Sequence, residues 1–181
     1  LKTLLKLLRD RSGAAMVELA AAAPVLMLLV LAGTEIARFS LLNQKLDRVA
    51  SSIGDLVAQA ESLTAAQLDQ LFAASTPVAW PFDFPVEGRV IISAVVDNGG
   101  APRINWQRGG GGALGAVSHV GAAGGNASLP AGMIVRTGDT LIVAEVFFDF
   151  APVLFAAVAP AGTLYHSAFF RPRLGALTSL N

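Results

Sequence analysis

Residues 14–33 read AAMVELAAAAPVLMLLVLAG, twenty residues with Glu18 as their one charged side chain. A helix of that length rises about 30 Å, the thickness of a bilayer's hydrocarbon core. Pro24 removes the backbone bond to the Ala20 carbonyl, which predicts a kink that packing against neighbouring helices relieves. This stretch fixes the fold: an N-terminal transmembrane helix with everything else attached behind it.

Upstream, residues 1–13 carry Lys2, Lys6, Arg9 and Arg11 against Asp10, a net +3, while residues 14–181 carry nine basic and twelve acidic side chains, a net −3. The basic flank predicts a cytoplasmic N-terminus and places all that follows Gly33 on the far side of the membrane. A conventional signal peptide shares the basic-then-apolar order, but Thr34-Glu35-Ile36-Ala37-Arg38 is a poor small-x-small cleavage junction. The chain opens at Leu1, read either as the edge of a fragment or as a non-standard start codon translated literally.

The remaining composition narrows the class. Of 181 residues 54% are hydrophobic and only 14% charged, with mean hydropathy +0.59, which excludes general disorder. Zero net charge speaks against a dedicated nucleic-acid binder. With no cysteine, a disulfide framework, a Cys-ligated zinc, an iron–sulfur cluster and a thiol nucleophile are all excluded.

Beyond the span, Ile36, Phe39, Leu42, Leu46, Val49, Ile53, Leu56 and Val57 recur at helical spacing, which predicts one amphipathic rod continuing to about Ala60. Thr64-x-x-Gln67 fits a capping box opening a short helix over Ala65–Ala74. Pro77, Pro81 and Pro85, with Trp80, Phe82 and Phe84, predict an extended linker with aromatic anchors over a sheet edge. Arg89–Val96 is β-branched and ends at the Asn98-Gly99-Gly100 turn, and Arg103–Gln107 alternates as its hairpin partner. Gly-rich residues 109–125 predict a flexible loop. Thr140–Phe150 and Leu164–Arg171 predict two more strands, joined by a connection containing Pro152 and Pro160. The expected fold class is α+β, a long N-terminal transmembrane and amphipathic helix packed against a small antiparallel sheet.

Glu18 is the informative charge. A carboxylate within a membrane helix costs up to about 2.5–3.5 kcal/mol on insertion scales, so it usually has a partner. Cutting after Gly13 would create an ammonium at Ala14, one helical turn from Glu18, available within a subunit or to a neighbouring one. The alternative is an interfacial carboxylate that snorkels to water unpaired.

The run Gly13-AAMVELAAAAPVLMLLVLAGTEIARF resembles the N-terminal segment of TadE/TadG-like pseudopilins, the minor pilins of tight-adherence (Tad, Flp-type) pilus systems. The similarity covers about Arg11–Phe39: small residues after Gly13, Val17-Glu18, Pro24 within the apolar run, and Glu35 near the exit. Fainter echoes are Glu145-Val146 and Arg171-Pro172-Arg173. The poly-Ala stretch Ala20–Ala23 departs from a more Leu/Phe-rich pattern. The resemblance implies a pilin-like architecture, with a prepilin peptidase cutting between Gly13 and Ala14. It also implies as partners other pilins or pseudopilins, the pilus assembly platform and inner-membrane lipid; the zero net charge leaves no nucleic acid among them. By length the chain is closer to TadE than to the larger TadG-like members.

Other motifs are weaker. Gly110-x-Gly112-x-x-Gly115 matches a dinucleotide fingerprint formally, but no βαβ unit surrounds it, and no Lys follows Lys45 to serve a Walker A loop. Ser118-His119 is adjacent in sequence, whereas a catalytic dyad needs spatial apposition and an orienting acid. His119 and His166 lack the carboxylate spacing of a metal site. Asp97, Asp139 and Asp149 lie at strand ends, where turn-forming acids are common.

The expected organisation is a leader over residues 1–13, a transmembrane helix over 14–33 and an amphipathic extension with a short helix over 34–76. A periplasmic β domain over 77–181 contains the loop 109–125. The expected function is that of a minor pilin of a Tad pilus or type IV-like secretion system, contributing to assembly and adherence, non-enzymatic and free of cofactors and metals. Its processing site is Gly13-Ala14 and its assembly contact Glu18. Its expected location is the bacterial inner membrane, single-pass, and on assembly an extracellular pilus. The rival readings are an uncleaved single-pass scaffold of the machinery and a tethered periplasmic hydrolase.

Overall fold

The computed structural model describes residues 12–180, the side chain of Ser12 excepted. The basic leader with Lys2, Lys6, Arg9 and Arg11, and the reading of Leu1, fall outside the described residues. The elements run α1 Ser12–Gln59, α2 Ala65–Ala73, α3 Ser75–Ala79, α4 Phe84–Glu87, β1 Gly88–Val96, β2 Arg103–Gly110, β3 Thr140–Phe150 and β4 Gly162–Phe170. The class is α+β, as the sequence predicts. Helix α1 is one element that passes through Pro24. The chain divides into two compact units, the first holding the N-terminal part of α1 to Phe39 with Pro152–Pro160, the second holding the rest.

In the first unit the apolar run of α1 is exposed almost throughout: Met16, Val17, Leu19, Val25, Leu26, Met27, Leu28, Leu29 and Val30 each show at least half of their surface. A helix apolar all round is stable only when something apolar surrounds it. Length and composition qualify it to cross a membrane.

The second unit is built on an antiparallel sheet in the order β2-β1-β3-β4. Strands β1 and β3 occupy the centre, in register from Gly88↔Phe148 to Val96↔Thr140. A register shift between Ala94 and Val95 interrupts the β1–β2 pairing, and β4 completes the other edge. Because side chains alternate between faces, Val90, Ile92 and Ala94 share one face with Val146, Ala144 and Ile142, whereas Ile91, Ser93 and Val95 share the other with Glu145, Val143 and Leu141.

The first face meets the helices. Leu42, Leu46, Val49, Ala50, Ile53 and Val57 of α1 are buried. Gly54 lets α1 approach so closely that a Cβ there would lie 2.7 Å from the Phe170 ring and 3.0 Å from the Ala144 methyl. Two residues of the predicted apolar stripe depart from it: Ile36 and Leu56 are 52% and 47% exposed. The capping box is present, Gln67 N donating to Thr64 Oγ1 at 3.2 Å and Thr64 N donating to Gln67 Oε1 at 2.9 Å. Residues 77–87, expected as an extended linker, instead contain α3 and α4. The prolines do not prevent this, because Pro77 and Pro85 lie in first turns, where the backbone N–H has no helical partner to lose. Phe82 and Phe84 anchor this segment against Phe148, with ring centroids 6.1 and 6.2 Å away, while Trp80 stays exposed.

The second face is covered by the glycine-rich segment, which is not the free loop its composition suggests. Gly109 and Gly110 extend β2 and pair with Ile91 and Val90. Val120 and Val135 then form a cluster with Val95, Ile104, Leu141 and Val143 of the sheet. The glycines serve close approach: a Cβ on Gly110 would strike the Phe72 ring, one on Gly112 the Gly88 and Phe84 carbonyls, and Gly111 holds φ +82°. The segment is fixed by packing and hydrogen bonds rather than by secondary structure.

Candidate functional site

Gly13, Ala14 and Glu18 all lie in the first turns of α1 and are exposed. Nothing approaches within 4 Å of a Cβ built on Gly13. Glu18 makes no hydrogen bond or ion pair to another described residue. Residues 14 and 18 are separated by one turn, so their side chains share a face of the helix.

The built polar feature of this unit is Glu35, which the sequence marks only as an acid near the exit of the span. It is fully buried. Its Oε2 accepts the backbone N–H of Val153 at 3.1 Å and of Leu154 at 2.6 Å, and its Oε1 accepts Arg38 Nη1 at 3.0 Å. Two successive amides converging on one carboxylate oxygen form a small anion cradle, and hydrogen bonds to an ionised acceptor are worth about 1.5–3 kcal/mol. One side chain thus ties the β3–β4 connection to α1 just past the end of its apolar run. No sequence pattern pairs residue 35 with residues 153 and 154.

A second buried carboxylate, Glu145 of β3, does the same for the glycine-rich segment. It accepts from Ser118 Oγ, from His119 N at 2.9 Å and from Tyr165 Oη at 3.1 Å. Burial pushes the Tyr165 phenol above its ordinary pKa, and the neighbouring Glu145 charge acts in the same direction, against a hydrogen bond with Ser167. The acid that a Ser118-His119 dyad would need is therefore close, but the order is not that of a relay. Ser118 bonds the carboxylate directly, and the His119 ring stacks on Tyr165 and meets Phe147 edge-on, with centroids 4.3 and 5.2 Å away. The histidine has a fixed place on the sheet, where loop composition predicts a mobile one.

The other candidates separate. His166 Nε2 lies 3.1 Å from Asn43 Oδ1 of α1, a helix–sheet contact. Asp97 is a turn acid, its Oδ1 accepting Gly99 N and Gly100 N at 2.8 Å each. Asp139 faces Arg171 at 3.8 Å, and Asp149 is an exposed residue of β3. Among the described residues no cluster of three His, Cys, Asp or Glu could hold a metal. The fingerprint glycines Gly110, Gly112 and Gly115 open no helix; the chain enters the cover of the sheet instead. Of the fainter echoes, Arg173 bonds Asp55 of α1 at 2.7 Å and its N–H reaches the Ala58 carbonyl at 2.9 Å, fastening the C-terminal segment to the helix. Asp69 pairs with Arg108 of β2 at 2.7 Å, and that bond holds its carboxyl below the usual aspartate range.

Residues 13–54 match the family described as TadE-like protein, a match that starts at the predicted junction glycine and takes in Glu18, Pro24 and Glu35. The N-terminal segment is therefore TadE-like, consistent with a TadE/TadG-like protein of a Tad pilus system. No curated protein and no solved structure matches the chain.

Proposed function

We propose that this chain is a minor pilin of a Tad pilus, processed between Gly13 and Ala14 and held in the inner membrane by residues 14–33 until it assembles with other pilins. The observation that carries the reading is that the TadE-like match begins at Gly13, immediately before a twenty-residue apolar run exposed over most of its length. Such a helix requires lipid before assembly and neighbouring apolar helices after it, which suits a subunit that moves from bilayer to fibre. The Ala14 ammonium of an incoming subunit would neutralise Glu18 of its neighbour, removing the cost of an unpaired carboxylate in lipid.

In this reading the sheet domain is periplasmic and structural rather than enzymatic, the buried carboxylates Glu35 and Glu145 holding segments together. The alternative, an uncleaved single-pass scaffold of the secretion machinery, uses the same anchor without a processed N-terminus.

Sequencing the N-terminus of the membrane-extracted protein tests the proposal. Ala14 as the first residue supports it, and blockage of the cut by Gly13→Leu, which fills the junction where only a minimal side chain is expected, supports it further. An intact leader in cells that hold the peptidase favours the scaffold.

A further inference from the structure

The connection Pro152–Pro160 is out of character for a loop in water. Between Asp149 and Arg171 there is no charged Asp, Glu, Lys or Arg. Val153 is 70% exposed, Leu154 43% and Val158 37%, and Ala156 and Ala157 are exposed beside them. Contiguous exposed apolar surface of this kind marks an interaction site.

Two further observations say what covers it. The first is position. Glu35 lies two residues beyond Gly33, about 3 Å of helix rise, and the amides of Val153 and Leu154 bond its carboxylate directly. The connection therefore sits at the level where the apolar run of α1 ends. The second is its backbone. Segments entering an apolar medium must not leave N–H groups unpaired, and here the donors are largely dealt with. Pro152 and Pro160 have none, Glu35 takes those of Val153, Leu154 and Phe155, and Val158 N donates to the Phe155 carbonyl at 3.2 Å, which leaves those of Ala156, Ala157 and Ala159 for lipid headgroups and interfacial water.

We infer that Pro152–Pro160 lies in the headgroup and acyl boundary of the leaflet from which α1 emerges, a second, interfacial anchor of the same chain. Helices that lie at this boundary bury their apolar faces about 5–10 Å into it. Glu35 and Arg38 remain at the polar level, and Val153, Leu154 and Val158 reach toward the acyl chains. The inference rests on the reading that residues 14–33 span the bilayer.

Because the chain has no cysteine, single-cysteine variants of the full chain carrying the fluorophore NBD can report depth after reconstitution into phosphatidylcholine–phosphatidylglycerol vesicles. Leu154→Cys, with Val153→Cys as a second reporter, probes the connection; Val25→Cys marks the middle of the span and Asn98→Cys an exposed turn. The expected result is several-fold weaker iodide quenching at 153 and 154 than at 98. Quenching by lipid carrying a nitroxide near the headgroup should be strong there, whereas the Val25 label responds best to a nitroxide deep in the chain. Glu35→Ala, which removes the acceptor of both amides, should raise iodide access at 154. If 154 is as open to iodide as 98 while 25 is quenched from within the lipid, the span stands and the interfacial anchor is wrong. Protection of 154 from both iodide and nitroxide lipid would mean that another protein copy covers it, and also overturns the inference. If the Val25 label is not lipid-quenched, the spanning reading itself fails.

Discussion

The ring of Phe170 fills the space where Gly54 would carry a side chain, at 2.7 Å from the position of its missing Cβ. The last residue of the edge strand β4 is thereby seated against α1, and Ala144 of the central strand β3 closes the same notch at 3.0 Å. A glycine inside a helix costs about 1 kcal/mol relative to alanine, so its presence here is set by the packing it permits.

Gly54→Leu should therefore destabilise the sheet domain despite the better helix propensity of leucine. Overpacking typically costs about 1–3 kcal/mol, more than the propensity gain returns. Thermal unfolding of the detergent-purified protein measures it; an unchanged or raised midpoint would show that the notch has room the geometry denies.

Glu145→Ala should free the glycine-rich segment from the sheet. It strips the acceptor from Ser118, His119 N and Tyr165 together, three partly buried donors, and the net loss for each such hydrogen bond is about 0.5–1.5 kcal/mol. Glu145→Gln should be milder, since its amide oxygen still accepts from two donors and its NH2 can donate to Ser118 Oγ. Hydrogen exchange over residues 111–137 should rise strongly in the alanine variant and weakly in the glutamine one. Equal protection in all three proteins would remove the carboxylate from the account.

Glu18→Ala should insert into the membrane slightly more readily, the charge having gone. Cleavage after Gly13 should be largely retained. Assembly should weaken, because the ammonium of an incoming subunit would meet an apolar surface in lipid. Glu18→Gln, keeping an acceptor without the charge, should fall between. Co-immunoprecipitation with pilins, with membrane abundance as control, is the measurement. Full assembly of abundant, processed Glu18→Ala would reduce Glu18 to a snorkelling surface group.

Reporter fusions after Asn98 and at Asn181 should be active only with enzymes that work outside the cytoplasm, given the +3 leader before the span. Cytoplasmic activity at either junction would invert the topology.

The parts of the fold legible in the sequence are those with a period or a local motif. The Thr64/Gln67 capping box is a four-residue signature, and Thr140–Phe150 is a β-branched and aromatic run whose predicted bounds coincide with β3. The cover of the second sheet face had no such signal. Val120 and Val135 are spaced irregularly among glycines, so their burial depends on the sheet already being present. The same holds for the carboxylates. Glu35 and Glu145 find their donors 119 and 27 residues away, across distances that no helical or strand period spans. Pro77 and Pro85 suggest a linker for a different reason: proline signals a break only after the first turn of a helix, and both lie within one.

The strand order β2-β1-β3-β4 carries a consequence for biosynthesis. Each outer strand forms a hairpin with the central strand nearest it in sequence, so both halves can nucleate locally as the chain emerges. The β1–β3 seam that unites them closes only after the whole glycine-rich segment has been delivered, and closing so long a loop is an entropic toll that local contacts do not share. Until then, β1 presents an apolar, hydrogen-bond-hungry edge. The interval between synthesis of β2 and synthesis of β3 is thus the stage at which this chain most needs protection from pairing with a second nascent copy.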